Sequence, residues 1–250
     1  MSSSKEPDNS IRDRYAEIAA KGQSAFTGRH DAVQSARTLG YSEEDLKDVP
    51  RGAVEMGLGC GNPTALAELR EGHVVLDLGA GAGLDAFVAA RKVGPRGRVI
   101  GVDMTPEMIA KATKFARQGG YDNVEFRLGC LDGLPVADGS VDVIISNCVI
   151  SHCSDKVAAF REALRVLRPG GRMFVSDLVV EGRVPPADTP GLEVWAEWLA
   201  VACGKRQYLQ AMSLAGIRDV AVMSECLYNG PGMTDALAGK IVSLQIKARK

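Results

Sequence analysis

Apolar residues recur along this chain in two rhythms. Between residues 11 and 20 they fall at helical spacing, with Tyr15, Ile18 and Ala19 on one stripe. A second helix is expected from Ser42, because Ser42-Glu43-Glu44-Asp45 has the capping-box pattern, and Pro50 is expected to end it. Gly57-Leu58-Gly59-Cys60-Gly61-Asn62-Pro63 is too rich in glycine for a regular element and reads as a loop, followed by a short helix over 64–69. From residue 73 the pattern changes to short apolar runs alternating with helical ones. Strands are expected at 73–77, 98–103, 124–128, 141–146 and 172–177, with helices at 84–91, after Thr105-Pro106-Glu107, and at 156–167. Thr105 suits a helix cap, Pro106 the first helical position and Glu107 the positive end of the dipole. The run 141–146 is unbroken and apolar, as in a strand buried on both faces. This alternation predicts an α/β fold: a doubly wound, mostly parallel sheet with right-handed crossovers. Later, Val184-Pro185-Pro186 marks an irregular connection and 192–202 a helix carrying Trp195 and Trp198. Residues 219–227 and 241–248 read as strands that lack a crossover helix between them and pair antiparallel at one edge.

At 250 residues the chain suits one elaborated domain, with an N-terminal helical segment and Cys60 loop (1–62), a nucleotide-type core (63–180) and a covering helix with closing edge strands (181–250). The 30 Lys and Arg against 31 Asp and Glu leave a formal charge of −1, which argues against a dedicated nucleic-acid binder. No apolar run approaches the ~20 residues of a membrane span. The opening residues lack the apolar stretch of a signal peptide, so a cytoplasmic location is expected. Six cysteines are then expected to be reduced: Cys60, Cys130, Cys148, Cys153, Cys203 and Cys226. They form no CxxC pair, so no zinc ribbon is indicated. A scattered thiol is ordinarily a small buried hydrophobe.

The sharpest motif is Asp77-Leu78-Gly79-Ala80-Gly81-Ala82-Gly83-Leu84-Asp85, at the end of the first strand. Its glycines let the chain turn tightly and let a ligand approach the backbone, and the next helix offers free N–H groups. A dinucleotide fingerprint would need glycine at position 84, where Leu84 stands. The spacing resembles instead the S-adenosylmethionine (SAM) site of class I methyltransferases. Asp103, ending the second strand, suits ribose hydroxyls. Met104 suits an adenine face, and Leu131-Asp132 resembles the segment that meets the adenine edge.

A narrower resemblance rests on Gly57-Leu58-Gly59-Cys60-Gly61-Asn62-Pro63, Gly101-Val102-Asp103-Met104-Thr105-Pro106 and Ser146-Asn147-Cys148-Val149-Ile150, with Leu39-Gly40-Tyr41-Ser42 and Leu237-Ala238-Gly239-Lys240 at either end. These stretches are similar to the arsenite methyltransferase family. The resemblance implies methyl transfer from SAM to thiol-bound trivalent arsenic, a small metalloid substrate, and a thiol reductant such as glutathione or thioredoxin as partner. It implies arsenic-binding thiols at Cys60 and Cys148. It also implies a cofactor pocket of Asp77, Gly79, Gly81, Gly83, Asp103, Met104, Leu131, Asp132, Asn147 and Val149. The chemistry agrees, since trivalent arsenic is soft and thiolates hold soft centres.

Two departures stand out. The family's N-terminal cysteine is absent from Gln23-Ser24-Ala25-Phe26, and Trp198 stands where the family has a helix cysteine. Cys203, five positions on, or Cys153 beside His152 is then the candidate third thiol. Two thiols suffice for monomethylated arsenic, so methylarsenite is the expected preference, unless glutathione supplies a missing sulfur for arsenite. His152 is either a loop histidine or a general base for an oxygen or nitrogen acceptor. His73 reads as structural, and Trp195 and Trp198 as packing residues with partial pocket contact. The alternative functions are a SAM-dependent methyltransferase of a small organic acceptor, a non-catalytic SAM-binding protein, and an NAD-linked enzyme, the last disfavoured by Leu84.

Overall fold

The computed structural model describes residues 9–21, 32–57, 59–186, 188–193, 195–230 and 232–250. The Gln23-Ser24-Ala25-Phe26 segment, His30 and Leu58 lie outside the described residues. Seven strands form one sheet: β1 (Val74–Leu78), β2 (Arg98–Asp103), β3 (Val124–Leu128), β4 (Val141–Asn147), β5 (Leu167–Val180), β6 (Asp219–Leu227) and β7 (Ile241–Arg249). Their order is β3-β2-β1-β4-β5-β7-β6. The first five run parallel, β7 is antiparallel to β5, and β6 is antiparallel to β7. The ten helices described are α1 (Asn9–Lys21), α2 (Ala32–Thr38), α3 (Glu43–Leu46), α4 (Arg51–Glu55), α5 (Pro63–Leu66), α6 (Leu84–Val93), α7 (Pro106–Gly119), α8 (Lys156–Val166), α9 (Ala196–Val201) and α10 (Lys205–Ala215). Among the described residues no helix is long and apolar enough to cross a membrane.

The period-2 alternation of the strands divides the core between the two faces of the sheet. Leu76 and Ile144 pack with Phe160 of α8 and with Tyr208 and Met212 of α10. Val75, Val143 and Ile145 go to the opposite face, against Ala86, Ala89 and Ala90 of α6. Trimming one such side chain to alanine costs about 2–5 kcal/mol. This two-sided core therefore fixes the carboxyl ends of β1 and β4, on which the site depends. β2 flanks β1 on one side and β4 on the other, which makes their junction the point where strand order reverses and a crevice opens.

Several expectations change at their edges. The Ser42 capping box is present, with Asp45 N–H donating to Ser42 Oγ and Ser42 N–H to Asp45 Oδ2, but α3 stops after one turn. Pro50 does not end that helix. It precedes α4, where a residue without an N–H leaves no helical hydrogen bond unmade. β5 is longer than its apolar run, because β7 pairs along it from Arg172 to Val180. The Pro169-Gly170-Gly171 turn lies inside β5, where the register against β4 shifts. The tryptophan helix is shorter than expected, and α10 was not anticipated, although Tyr208, Ala211 and Met212 carry its apolar stripe.

Candidate active site

A cavity of about 570 Å³ opens at the carboxyl ends of β1, β2 and β4. Of the residues expected around a cofactor, Asp77, Gly79, Gly81, Asp103, Met104, Leu131, Asp132, Asn147 and Val149 line it. Gly79 has φ +65, and a Cβ there would run into the Val149 side chain at 2.4 Å, so the loop lies directly on the segment after β4. Gly83 does not line the cavity. It precedes α6, and a Cβ there would strike Phe87 and Phe126 at 2.8 Å. Asp103 accepts from Gly81 N–H and Thr105 N–H, each at 2.9 Å, and so secures the glycine loop and the start of α7 together. Thr105 makes no side-chain cap of its own. Asp77 is buried with Oδ2 unpartnered. Burial, then the neighbouring Asp85 and Asp103, pushes its carboxyl well above the ordinary range.

Cys148 follows β4 with φ +60, a left-handed backbone that a side chain makes unfavourable. Its N–H donates to the Ser176 carbonyl of β5 at 2.7 Å, so strand pairing holds this turn. The Cys148 side chain lines the cavity, whereas Cys60 is buried just behind it at 6% exposure. Cys148 packs against the buried cluster that contains Cys60. Burial above all, then the neighbouring Cys148 and the charge of Asp177, pushes the Cys60 thiol well above the ordinary range. Cys60 has no regular element to hold it. Its N–H donates to Asn147 Oδ1 at 3.0 Å, and Gly59 beside it leaves room for that amide, which a Cβ would meet at 2.3 Å. An apolar shell of Leu178, Leu192, Trp195, Trp198, Leu237 and Ile241 surrounds Cys60, with Cys148 at its margin. The tryptophans pack edge to face at 5.5 Å, and the Trp195 indole donates to the Gly232 carbonyl.

The other thiols go elsewhere. Cys203 neither lines the cavity nor joins the pair. It packs against the core beside α10, near Lys156 and Asp177, and burial raises its thiol. Cys153 lines the cavity, and burial together with Asp177 pushes its thiol up to about 12. Cys130 also lines the cavity, and Cys226 is exposed on β6. His152 lines the cavity with Nδ1 buried and unpartnered; burial, then Lys156 and Arg14, lowers it to about 4. At neutral pH it is an uncharged imidazole. Tyr15 of α1 stands edge-on to it at 6.1 Å and closes the cavity with Ile11. His73 accepts from Arg70 N–H at Nδ1 and lies outside the cavity. Tyr15 was legible only as part of an apolar stripe. Asp85, a further wall residue, stood in the glycine motif without an assigned part.

A reversing parallel sheet with a glycine loop after β1 and an acid ending β2 is the architecture of class I methyltransferases. A methyltransferase-domain family model matches residues 69–216. The arsenite methyltransferase of Halobacterium salinarum is 48% identical over 189 residues, which cover 70% of this chain and 48% of that protein. The human arsenite methyltransferase is 31% identical over 202 residues, covering 77% and 53% respectively. Among solved structures, an arsenic (III) S-adenosylmethionine methyltransferase from Chlamydomonas reinhardtii superposes with a TM-score of 0.67 at 33% identity, covering 89% of this chain and 75% of that one. This chain belongs to the arsenite methyltransferase family. It spans about half the length of the curated relatives it matches.

Proposed function

We propose that this protein methylates trivalent arsenic, with Cys60 and Cys148 holding the substrate and SAM as donor. The observation that carries the reading is the placement of Cys148 on the wall of the glycine-loop cavity, packed against the cluster that holds Cys60. The cavity's volume lies within the roughly 300–1,000 Å³ of small-molecule sites. Its lining fits SAM: the unpartnered Asp77 Oδ2 suits an ammonium group, and Asp103 with Met104 suits a nucleoside. Bound there, SAM supplies a methyl carbon made electrophilic by its sulfonium sulfur, which the arsenic lone pair takes as S-adenosylhomocysteine departs.

The protein's own part is capture and alignment. Each thiol displaces one hydroxyl from arsenic, and the thiol proton leaves with that hydroxyl as water, so no base is required. This suits a pair whose buried member holds its proton at neutral pH. Neutral His152 and the raised Cys153 thiol serve as wall rather than as proton acceptors in this scheme. Methyl transfer raises arsenic to the pentavalent state, and a thiol reductant such as glutathione or thioredoxin returns it to the trivalent one.

With Trp198 in the apolar shell and Cys203 set apart, the protein offers arsenic two sulfurs. Methylarsenite has two exchangeable positions and a methyl group suited to that shell, so it is the preferred substrate; arsenite requires glutathione as third sulfur. Mass analysis of arsenic species after a single turnover with SAM, with and without glutathione, tests this. The expected result is dimethylated arsenic from methylarsenite under both conditions, and methylation of arsenite only with glutathione. Full-rate arsenite methylation without added thiol would refute the preference. An organic acceptor would be indicated by turnover that survives Cys60→Ser and Cys148→Ser.

A further inference from the structure

Cys60 is the weaker-anchored half of the thiol pair, since the sheet fixes Cys148 and no regular element fixes Cys60. Two side chains outside its loop bracket its peptide groups. Asn147, the last residue of β4, accepts from Cys60 N–H through Oδ1 at 3.0 Å and donates from Nδ2 to the Gly61 carbonyl at 2.8 Å. One amide thus serves the loop backbone with both a donor and an acceptor, as a neighbouring strand would. Ser243 of β7 donates from Oγ to the Cys60 carbonyl at 3.0 Å. Cys60 is therefore held from β4 on its amide side and from β7 on its carbonyl side.

Asn147 is itself held from below. Its Nδ2 donates to Asp85 Oδ2 at 3.0 Å and lies 3.1 Å from the Tyr41 hydroxyl oxygen. Tyr41, 2% exposed, donates to Asp85 Oδ1 at 2.6 Å. The far end of the loop is tied as well: Asn62 Nδ2 donates to the Gly40 carbonyl at 3.0 Å. These groups bury a carboxylate and a phenol next to the acidic Asp77, an arrangement that is costly unless every partner is met. They meet one another, and their outlet is the loop carrying Cys60.

We propose that Tyr41, Asp85, Asn147 and Ser243 are positioning residues that set the Cys60 sulfur at the spacing from Cys148 needed for one arsenic atom to bridge both. This rests on the two-thiol reading above. Neither Tyr41 nor Ser243 lines the cavity, so changing them separates positioning from donor binding.

The probe is phenylarsine oxide, a monoaryl trivalent arsenical that needs two thiols. Its affinity is measured by titration alongside SAM affinity and the rate of Cys148 alkylation by iodoacetamide, which needs one thiol. Ser243→Ala and Tyr41→Phe should each weaken phenylarsine oxide binding about five- to tenfold, the scale of one hydrogen bond. SAM affinity and alkylation rate should stay within twofold of wild type, and Ser243→Thr should restore capture. Asn147→Ala, which also alters a wall residue, should weaken capture at least as much as Ser243→Ala. Unchanged capture in folded Ser243→Ala and Tyr41→Phe proteins overturns the positioning role. Parallel loss of SAM affinity and capture overturns it too, by showing general loosening. Wild-type binding that is indifferent to Cys60→Ser would overturn the two-thiol reading itself, and the positioning role with it.

Discussion

Cys148 shows at a single residue how the site departs from what stability alone would select. Its φ of +60 costs roughly 1–2 kcal/mol relative to a relaxed backbone, and glycine would escape that cost. The side chain is nevertheless placed against Cys60. Replacing Cys148 by glycine should therefore give a protein about 1 kcal/mol more stable than Cys148→Ala in urea unfolding, with both unable to capture arsenic. Equal stability of the two variants would remove the argument from strain. The identity of this cysteine was legible in the sequence, from its place after an apolar strand. Its backbone geometry was not, because left-handed conformations are read from glycine or asparagine and no local signal marks a cysteine that adopts one. Gly83 adds a constraint the motif did not show: a Cβ there would meet Phe87 of α6 and Phe126 of β3.

At the scale of elements, the loop bearing Cys60 is defined by what it lies against. Gly59 abuts Asn147, and a Cβ at Gly61 would meet Ser176 Oγ at 2.8 Å, so the loop rests directly on the ends of β4 and β5. Gly59→Ala should push the loop from Asn147 and weaken methylarsenite binding, read by quenching of Trp195 and Trp198 fluorescence, by about five- to tenfold, the scale of one hydrogen bond. Gly133→Ala, where a Cβ meets nothing within 4 Å, should leave the quenching unchanged. The five parallel strands were legible because four are mostly apolar runs between turn residues and β3 (Val124–Leu128) alternates apolar with charged positions. The helix α10 escaped notice because its N-cap is Gly204, which offers no side chain; Gln207 reaches back to the Gly204 N–H from within the helix. Pro50 was misread for a related reason: a proline marks a boundary without saying which helix it bounds.

For the whole molecule, the buried titratable groups of the cavity predict an opposed pH response. His152 is lowered from 6.5 to about 4, so the unfolded chain binds its proton first and stability is lost as pH falls from 6.5 toward 4. Asp85 is raised from 3.8 to about 6, so the folded chain binds that proton first and its contribution is lost as pH rises from 3.8 toward 6. Between pH 4 and 6 the two slopes oppose each other. His152→Gln removes one, so the stability of the variant relative to wild type should rise as pH falls from 6.5 to 4, measured by urea unfolding across that range. A constant difference would show that His152 is not held neutral by the fold.

The sheet, the glycine loop and the acid at Asp103 could be read in one dimension, since each lies in a continuous stretch. The pairing of Cys60 with Cys148 came from family resemblance alone, because no local signal shows that a loop and a strand end 87 residues apart, Cys60 and Asn147, meet. That tie is the central claim, and arsenic X-ray absorption on the protein loaded with methylarsenite in thiol-free buffer tests it most directly. Two sulfur neighbours per arsenic in wild type, falling to one in Cys60→Ser and in Cys148→Ser, is the predicted result. A single sulfur neighbour in wild type, or two that persist in either variant, would contradict it.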